Sequence, residues 1–228
     1  MHDQRTDIWV VIAAFNEAAV IGEVVAQVVS RYPKTVVVDD ASADHTAALA
    51  SQAGAVVVRH PINLGQGAAL QTGITFALSG GAKYIVTFDA DGQHQVGDVD
   101  PMIEALGEAR ADVALGSRFC GQTLGAPWSR RALLRLAVLF TVATTRLKLT
   151  DAHNGLRVFT RAAAAKLSIR QNRMAHASEI LRQISHHRMR YIEVPVTIRY
   201  TRYSLSKGQG IGDALNILAD LFIGRFVR

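Results

Sequence analysis

The sequence predicts an α/β fold built on a mostly parallel sheet, and three observations support this. Short runs of Val and Ile alternate with segments of helical spacing through the first half of the chain. The runs are continuously apolar rather than alternating, which is typical of strands covered on both faces. The chain is 228 residues long, 49% apolar and only 19% charged, which suffices for a real core and excludes disorder.

The elements of the first half follow from these runs in order. Apolar residues spaced as on a helix face occupy residues 17–31, and Ser42 is placed as the N-cap of a second helix reaching residue 53. A third helix is expected over 67–78. The predicted strands are residues 8–13, 35–38, 55–58, 84–88 and 113–115.

The second half has a different pattern. Residues 127–149 read as a helix that is apolar most of the way round, with arginines at both ends, and residues 211–226 form an amphipathic segment. A strand is expected over 156–160 and a helix over 178–187. Residues 191–200 alternate as a strand does, and Pro195 places that strand at an edge of the sheet.

Composition restricts the compartment and the partners. Cys120 is the single cysteine, so a disulfide framework is excluded and a reducing, cytoplasmic setting is expected. The sequence shows no signal peptide and no run of 18 uncharged apolar residues. Residues 1–109 carry 5 Lys and Arg against 13 Asp and Glu, whereas residues 110–228 carry 20 against 6. Carboxylates in one half could hold a metal, and cations in the other could face the phosphates of a nucleotide, a nucleic acid or a membrane.

Acidic residues stand where the predicted strands end. Glu17 follows the first strand, Asp39 and Asp40 end the second, and Asp89-Ala90-Asp91 ends the fourth. Ligands of open α/β sheets bind beyond the carboxyl ends of the strands. An Asp-x-Asp pair in a turn suits a hard divalent cation that also touches a diphosphate.

A glycine-containing turn, residues 63–67, precedes the third helix. It differs from a dinucleotide-binding fingerprint because Leu70 occupies the place of the third glycine and because the turn follows the third strand. Two interpretations remain open, a turn that lets backbone approach a ligand and a simple helix entry.

Seven ordered motifs carry a more specific signal. The sequence resembles family 2 glycosyltransferases of the GT-A fold, and within them the polyprenyl-phosphate sugar transferases. The match runs from about residue 8 to residue 207, through I-A-A-F-N-E at 12–17, V-D-D-A-S-A-D-H-T at 38–46, N-L-G-Q-G at 63–67, F-D-A-D-G-Q-H at 88–94, G-S-R at 116–118, Asp151 with N-G-L-R at 154–157, and E-V-P-V at 193–196 followed by Arg202 and S-K at 206–207.

The resemblance implies a role for each matching position. The enzyme would be an inverting, metal-dependent hexosyltransferase that uses a nucleotide-diphosphate sugar and a polyprenyl phosphate. It implies one catalytic domain, with a nucleotide-sugar half at 1–117 and a basic acceptor half at 118–228. Asp91, Asp151 and Arg118 would be catalytic. The donor would meet Ala13, Phe15, Glu17, Asp39, Asp40, Asp89, Ala90, Arg202 and Lys207, the acceptor phosphate would meet Arg118 and Arg131, and Mg²⁺ or Mn²⁺ would meet Asp89, Asp91 and Gln93.

Two departures from the family pattern bear on the donor. Ala13 stands where relatives have proline and Phe15 where they have tyrosine, so the identity of the nucleobase, guanine or uracil, stays open. A phosphate-monoester acceptor is largely dianionic at neutral pH and needs little or no general base. A hydroxyl acceptor, the alternative, would require one, and Asp91 or Asp151 would be the candidate.

The basic half predicts an anionic surface as a partner. Arginines bracketing the apolar segment 127–149 suit peripheral docking on the cytoplasmic face of a membrane, directly or through a membrane partner protein. An apolar core helix with a charged rim is the competing interpretation. Nucleic acid is not expected, because the arginines are not interleaved with aromatic residues and no recognised binding motif is present. The intact Asp89, Asp91, Arg118 and Arg202 argue against an inactive scaffold.

Overall fold

The structure is a computed structural model that describes residues 4–124, 138–139, 141–142, 145, 147–171, 175–201 and 203. Seven strands form one sheet in the order β3-β2-β1-β4-β6-β5-β7. β6 runs antiparallel to both of its neighbours, and the other pairs are parallel. The strands are β1 (Ile8–Ala14), β2 (Thr35–Asp39), β3 (Val56–Arg59), β4 (Tyr84–Asp89), β5 (Val113–Leu124), β6 (Arg157–Thr160) and β7 (Tyr191–Arg199).

Helices cover both faces of this sheet. They are α1 (Ile21–Arg31), α2 (Thr46–Gln52), α3 (Gln66–Ser79), α4 (Val99–Glu108), α5 (Arg161–Ala164) and α6 (Ala175–His186), with short 3₁₀ turns at Gln4–Asp7 and Val96–Asp98. The mostly parallel α/β fold predicted from the continuous apolar runs is therefore confirmed.

The alternation of side chains along β1 explains how the sheet obtains two cores. Val10 and Ile12 face the layer that contains α1 and α4, whereas Trp9 and Val11 face the layer that contains α3 and α6. All four are buried. Because both faces of the strand are covered, its sequence is apolar at every position, which is the pattern from which the strand was predicted.

Several boundaries differ from the prediction for local physical reasons. Helix α2 begins at Thr46 and its N-cap position is His45, so the predicted N-cap at Ser42 is wrong. The Ser42 hydroxyl instead accepts a hydrogen bond from the backbone N–H of Asn16, across the sheet edge. β5 extends to Leu124 because it pairs with β7 beyond an irregularity between Ser117 and Gln122. α4 and α5 were not predicted.

β7 is the last strand of the described sheet, in agreement with the edge position predicted from Pro195. The predicted helix over 127–149 lies mostly outside the described residues, although Val138, Leu139, Thr141, Val142 and Thr145 are helical. The predicted amphipathic segment 211–226 lies outside them entirely. Among the described helices, none has both the length and the apolar character needed to span a bilayer.

Candidate active site

The carboxyl ends of β1, β2 and β4 meet at one edge of the sheet. In the strand register, Ala14 of β1 lies opposite Asp39 of β2, and Ala13 lies opposite Asp89 of β4. The end of β1 is therefore flanked on both sides by carboxylates. The acidic strand ends that the sequence placed together are together in the structure.

The turn after β1 is held by side chains that follow β2. Asn16 has φ +53°, a left-handed conformation that Asn tolerates better than most residues. Its Oδ1 accepts a hydrogen bond from Ala43 N at 2.9 Å, and its own N–H donates to Ser42 Oγ at 2.9 Å. The N–H of Glu17 donates to Thr46 Oγ1 at 2.8 Å. The hydroxyls of the V-D-D-A-S-A-D-H-T motif therefore set where Glu17 lies.

Asp39 is completely buried at the bottom of this edge. Its Oδ2 lies 3.0 Å from Nε of Arg59, a side chain that is 60% exposed, and this oxygen makes no hydrogen bond in the part of the chain described. A buried carboxylate oxygen without a hydrogen-bond donor is costly. Asp39 is thus a candidate acceptor for a polar group of a ligand.

Asp40 has a different environment. One carboxylate oxygen accepts a hydrogen bond from Leu64 N at 2.9 Å and lies 2.7 Å from His60 Nδ1, and the other accepts from Gly65 N at 2.7 Å. Gly65 has φ +92°, which favours glycine. Asp40, expected in the nucleotide pocket, holds the glycine-containing turn in place with both of its oxygens.

Gly67 lies in the same turn, and its surroundings show which part of the molecule the turn approaches there. A Cβ placed on Gly67 would lie 2.1 Å from the carbonyl oxygen of Gln171 and 3.0 Å from Cβ of His176. The close approach at Gly67 is therefore to the chain entering α6.

Two further residues expected to contact the donor differ in exposure. Phe15, in the turn after β1, is 45% exposed, whereas Ala90, in the Asp-x-Asp turn, is buried.

The Asp-x-Asp turn follows β4. Gly92 has φ +74°, and Asp91 Oδ1 accepts a hydrogen bond from Gln93 N at 3.0 Å, which closes the turn. Nε2 of His94 lies 2.9 Å from Oδ2 of Asp89. The His94 ring is buried against Phe88, with ring centroids 5.3 Å apart. His94 therefore fixes Asp89 and is not a solvent-exposed base.

Strand β7 forms backbone contacts with the residues that follow the Asp-x-Asp turn. The carbonyl of Gln93 accepts a hydrogen bond from Arg199 N at 3.0 Å, and His94 forms an antiparallel bridge with Ile198. Thr197 N donates to Oδ2 of Asp98 at 2.8 Å. The position of the Asp-x-Asp turn thus depends on a strand about 100 residues further along the chain.

The two aspartates of the turn have opposite pKa shifts. Burial, and then the charge of Asp89, raise the pKa of Asp91 to about 6. Burial also raises the pKa of Asp89, but the charge and hydrogen bond of His94, followed by the charge of Arg157, more than offset it, so the net shift is downward. The two carboxylates are close enough for the ionisation of one to oppose that of the other.

This arrangement fits a hard divalent cation. A cation between two oxygen-rich groups would relieve the repulsion that raises the pKa of Asp91, and the amide oxygen of Gln93 lies in the same turn. Within the described residues, no three His, Cys, Asp or Glu side chains converge as a complete metal centre. Ligand oxygens would therefore have to complete the coordination, as expected for an ion that also binds a diphosphate.

Arg118 lies on β5 in a buried network. Its Nε donates to Asp151 at 2.6 Å, and its terminal nitrogens donate to the Tyr200 hydroxyl and to the carbonyl of His153, each at 2.9 Å. The backbone N–H of Arg118 also donates to Asp151, at 3.1 Å. The Arg118 guanidinium is therefore paired with a carboxylate of its own half of the chain. Asp151 is buried beneath it.

Glu193 and Arg157, which belong to the family motifs, have clear positions in the structure. Glu193 of β7 accepts hydrogen bonds from the backbone N–H groups of Thr150 and Asp151, at 2.9 and 3.1 Å, and fixes the loop before β6. Arg157, the first residue of β6, is only 3% exposed. Burial lowers the pKa of Arg157 to about 10, against the opposing charges of Asp89 and Asp151. A charged residue at the start of a buried strand was the signal that could have identified it.

The segment after β7 returns to the end of β1. The hydroxyl of Tyr203 donates to Oε2 of Glu17 at 2.7 Å. Tyr203 lies beside Arg202 in the sequence, but Arg202, Lys207 and Arg131 are outside the described residues, so their expected roles remain predictions.

The strand order, with an antiparallel strand beyond β4 and acidic strand ends, defines an α/β fold of the GT-A type. The same fold occurs in the crystal structure of glucosyl-3-phosphoglycerate synthase from Mycobacterium tuberculosis in complex with Mn²⁺, UDP and glucosyl-3-phosphoglycerate. That structure matches 96% of this chain and 79% of its own with a TM-score of 0.72 and 18% identity.

Sequence comparison defines the family. The profile of glycosyl transferase family 2 matches residues 9–168, and the chain belongs to this family of glycosyltransferases. An uncharacterised protein of Methanocaldococcus jannaschii is 35% identical over 96% of this chain and 92% of its own length. The UDP-N-acetylglucosamine–dolichyl-phosphate N-acetylglucosaminyltransferase of Methanococcus voltae is 28% identical over 90% of each chain. The resemblance to family 2 seen in the motifs is confirmed, as is the expectation of a sugar-transferring enzyme.

Proposed function

We propose that this enzyme transfers a sugar from a nucleotide-diphosphate sugar to a polyprenyl phosphate with inversion at the anomeric carbon. The observation that carries the proposal is the convergence of Asp39, Asp89 and Asp91 at the end of β1. Oδ2 of the buried Asp39 accepts no hydrogen bond from the described residues, although it is ion-paired with the exposed Arg59, and Asp89 and Asp91 oppose each other's ionisation. A nucleoside diphosphate would supply a hydrogen-bond donor for Asp39, and a divalent cation would supply positive charge for Asp89 and Asp91.

The donor would occupy the half of the site formed by residues 1–117. Asp39 would accept a hydrogen bond from the ribose or base, and Ala13 and Phe15 would line the pocket. Asp89, Asp91 and Gln93 would hold Mg²⁺ or Mn²⁺ against the diphosphate. The M. tuberculosis structure, which contains Mn²⁺ and UDP in the same fold, supports this assignment. The ion would supply positive charge opposite the negative charge that develops on the leaving diphosphate. Arg202 and Lys207 would add cations there.

The dolichyl-phosphate relative and the basic half, residues 118–228, support the polyprenyl phosphate acceptor. An acceptor phosphate oxygen attacks the anomeric carbon, and the bond from that carbon to the nucleoside diphosphate breaks with its electron pair. A phosphate dianion carries no proton that must be removed. His94 and Asp151, both engaged in buried hydrogen bonds, are therefore not required as bases.

A phosphorylated soluble acceptor is the second candidate. The M. tuberculosis structure with glucosyl-3-phosphoglycerate supports it through the shared fold. A hydroxyl of such an acceptor would have to lose its proton, and Asp91, with a pKa of about 6, is better suited to accept it than Asp151, which is ion-paired with Arg118.

A lipid acceptor requires access to a membrane. We propose peripheral docking on the cytoplasmic face through the basic half. Leu124 and Leu139 support this surface, because both are exposed large apolar side chains in that half, at 43% and 66%. Anionic vesicles should sediment the protein, and high salt should weaken the binding because it screens surface charge. Sedimentation that is independent of lipid charge and of salt would contradict this docking mode.

The function is tested by direct assay of purified enzyme. Labelled UDP- and GDP-sugars are incubated with Mn²⁺ and either undecaprenyl phosphate or 3-phosphoglycerate, with an EDTA control. Product on the prenyl phosphate, lost with EDTA and in Asp89→Asn, is expected. Asp112→Asn is the matched control, because Asp112 is a surface partner of Arg190. Product on phosphoglycerate alone would replace the lipid acceptor with the soluble one, and equal rates with EDTA would refute the metal site.

A further inference from the structure

Arg157 is a buried cation whose guanidinium makes no hydrogen bond to any described residue. It is as inaccessible as Arg118, at 3% exposure against 8%. Arg118, however, donates to a carboxylate, a hydroxyl and a carbonyl. Withdrawing a charge from water is costly unless hydrogen bonds and an opposite charge replace the solvent. The charges of Asp89 and Asp151 act on the Arg157 guanidinium, but neither carboxylate accepts a hydrogen bond from it, so its N–H groups are suited to an anionic ligand.

The residues just before Arg157 also have unsatisfied polar groups. Nδ1 of His153 and Nδ2 of Asn154 are buried and make no hydrogen bond within the described structure. Burial lowers the pKa of His153 to about 4, and the nearby cations Arg157, Arg118 and His176 add to this effect. Three polar groups of one five-residue segment thus lack hydrogen-bond partners among the described residues at the carboxyl edge of the sheet.

The strand order fixes on which side of the site this segment lies. β6 pairs with β4 on the side opposite β1. Arg157 lies opposite Thr87, two residues before Asp89, and so stands across Asp89 from the strands that would hold the nucleotide. An anion that reaches Arg157 approaches the anomeric carbon from the acceptor side.

We propose that Arg157 binds the phosphate monoester of the acceptor and that Arg118 is a positioning residue, which holds Asp151 and Tyr200. This inference rests on the proposed function, because it assigns the acceptor subsite of that reaction. Arg157 stays protonated throughout. It neutralises the attacking phosphate while one phosphate oxygen bonds to the anomeric carbon and the nucleoside diphosphate leaves. If the acceptor attacked through a hydroxyl and carried its phosphate elsewhere, Arg157 would bind that phosphate but would not contact the attacking oxygen.

The test separates acceptor binding from donor binding. Dissociation constants are measured by calorimetry for geranyl phosphate, for 3-phosphoglycerate and for UDP with Mn²⁺, on wild type, Arg157→Gln and Arg157→Lys. Arg190→Gln, which changes an exposed surface arginine, is the control. Loss of a charge-assisted hydrogen bond to phosphate should weaken the phosphate probe by roughly tenfold to a hundredfold in Arg157→Gln. UDP binding with Mn²⁺ should be unchanged or tighter, because a cation beside Asp89 has been removed.

The opposite pattern would overturn the proposal. If Arg157 serves only as a counter-ion that positions Asp89, Arg157→Gln should weaken UDP binding with Mn²⁺ and leave both phosphate probes unaffected. Arg157→Lys keeps the charge and provides a second variant if the glutamine variant unfolds. It should still lose about tenfold in phosphate affinity, since lysine cannot reproduce the guanidinium fork. Wild-type affinity in Arg157→Lys would also overturn the proposal.

The two probes distinguish this inference from the proposed function. Binding of both phosphates that depends on Arg157, with turnover of 3-phosphoglycerate but not of a prenyl phosphate, would refute the lipid acceptor and retain the subsite. Turnover of prenyl phosphate at an unchanged KM in Arg157→Lys would refute the Arg157 subsite and retain the lipid acceptor.

Discussion

Replacing Gly155 with alanine tests whether the position of the Asp89 carboxylate controls the reaction. A Cβ on Gly155 would lie 2.2 and 2.3 Å from the two carboxylate oxygens of Asp89, whereas real Cβ contacts are essentially never under 3.0 Å. The carboxylate must therefore retreat by about 0.8 Å. It is held by His94 at 2.9 Å, so the retreat would disturb that hydrogen bond as well.

A displacement of this size predicts a large kinetic effect with a small structural one. Misplacing a reacting group by 1 Å can cost about a hundredfold in rate, so kcat/KM for Gly155→Ala should fall by roughly that factor. Overpacking one methyl group costs about 1–3 kcal/mol, which leaves most domains folded. Initial rates against Mn²⁺ concentration, with circular dichroism for the fold, provide the measurement.

Gly107→Ala is the matched control. A Cβ on Gly107 of α4 would have no neighbour within 4 Å. Alanine in an exposed helix should stabilise the protein by up to about 1 kcal/mol relative to glycine and leave the rate unchanged. Wild-type rates and Mn²⁺ dependence in Gly155→Ala would refute the assignment of Asp89 to the reacting site.

Three further outcomes are expected. The folded-state pKa of Asp91 is raised to about 6, so the contribution of Asp91 to the stability of the metal-free protein should grow on acidification from pH 7 toward pH 4, whereas the lowered pKa of His153, about 4, acts in the opposite direction. The difference in melting temperature between wild type and Asp91→Asn across this range isolates the Asp91 contribution, and calorimetry should show weaker UDP binding with Mn²⁺ at the lower pH. Arg118→Gln leaves Asp151 buried without its cation and should cost about 3–5 kcal/mol, so the melting temperature should fall, whereas a lower rate at unchanged stability would contradict the positioning role. Gly73→Ala would place a Cβ 2.2 Å from Cγ1 of Val11 and should destabilise the core by about 1–3 kcal/mol in a urea melt, with no specific change in Mn²⁺ dependence.

The continuous apolar runs in the sequence predicted the central strands, because a strand that is buried on both faces is apolar at every position. The acidic strand ends were equally visible, because a parallel sheet brings them to one edge. Helix α4 was missed although Val99, Met102 and Leu106 have helical spacing and are buried. That signal was present in the sequence.

Side-chain partners across the sheet were not predictable in this way. Sequence adjacency paired Asp40 with Asp39 in one pocket, whereas the backbone of residues 64 and 65 occupies both of its carboxylate oxygens. The motif that placed Arg118 at the acceptor phosphate did not indicate its partners Asp151, 33 residues away, and Tyr200, 82 residues away. Such pairings depend on the packing of distant segments, which spacing along the chain does not encode.

The support of the Asp-x-Asp turn by β7 bears on where the functional unit ends. The family profile stops at residue 168, but the strand that bonds to Gln93 and bridges His94 spans Tyr191–Arg199. A fragment cut at the profile boundary would keep every carboxylate of the turn and lose the backbone that aligns them. The smallest autonomous catalytic unit of this chain therefore includes β7, and sequence swaps between relatives should exchange the Asp-x-Asp turn and β7 together.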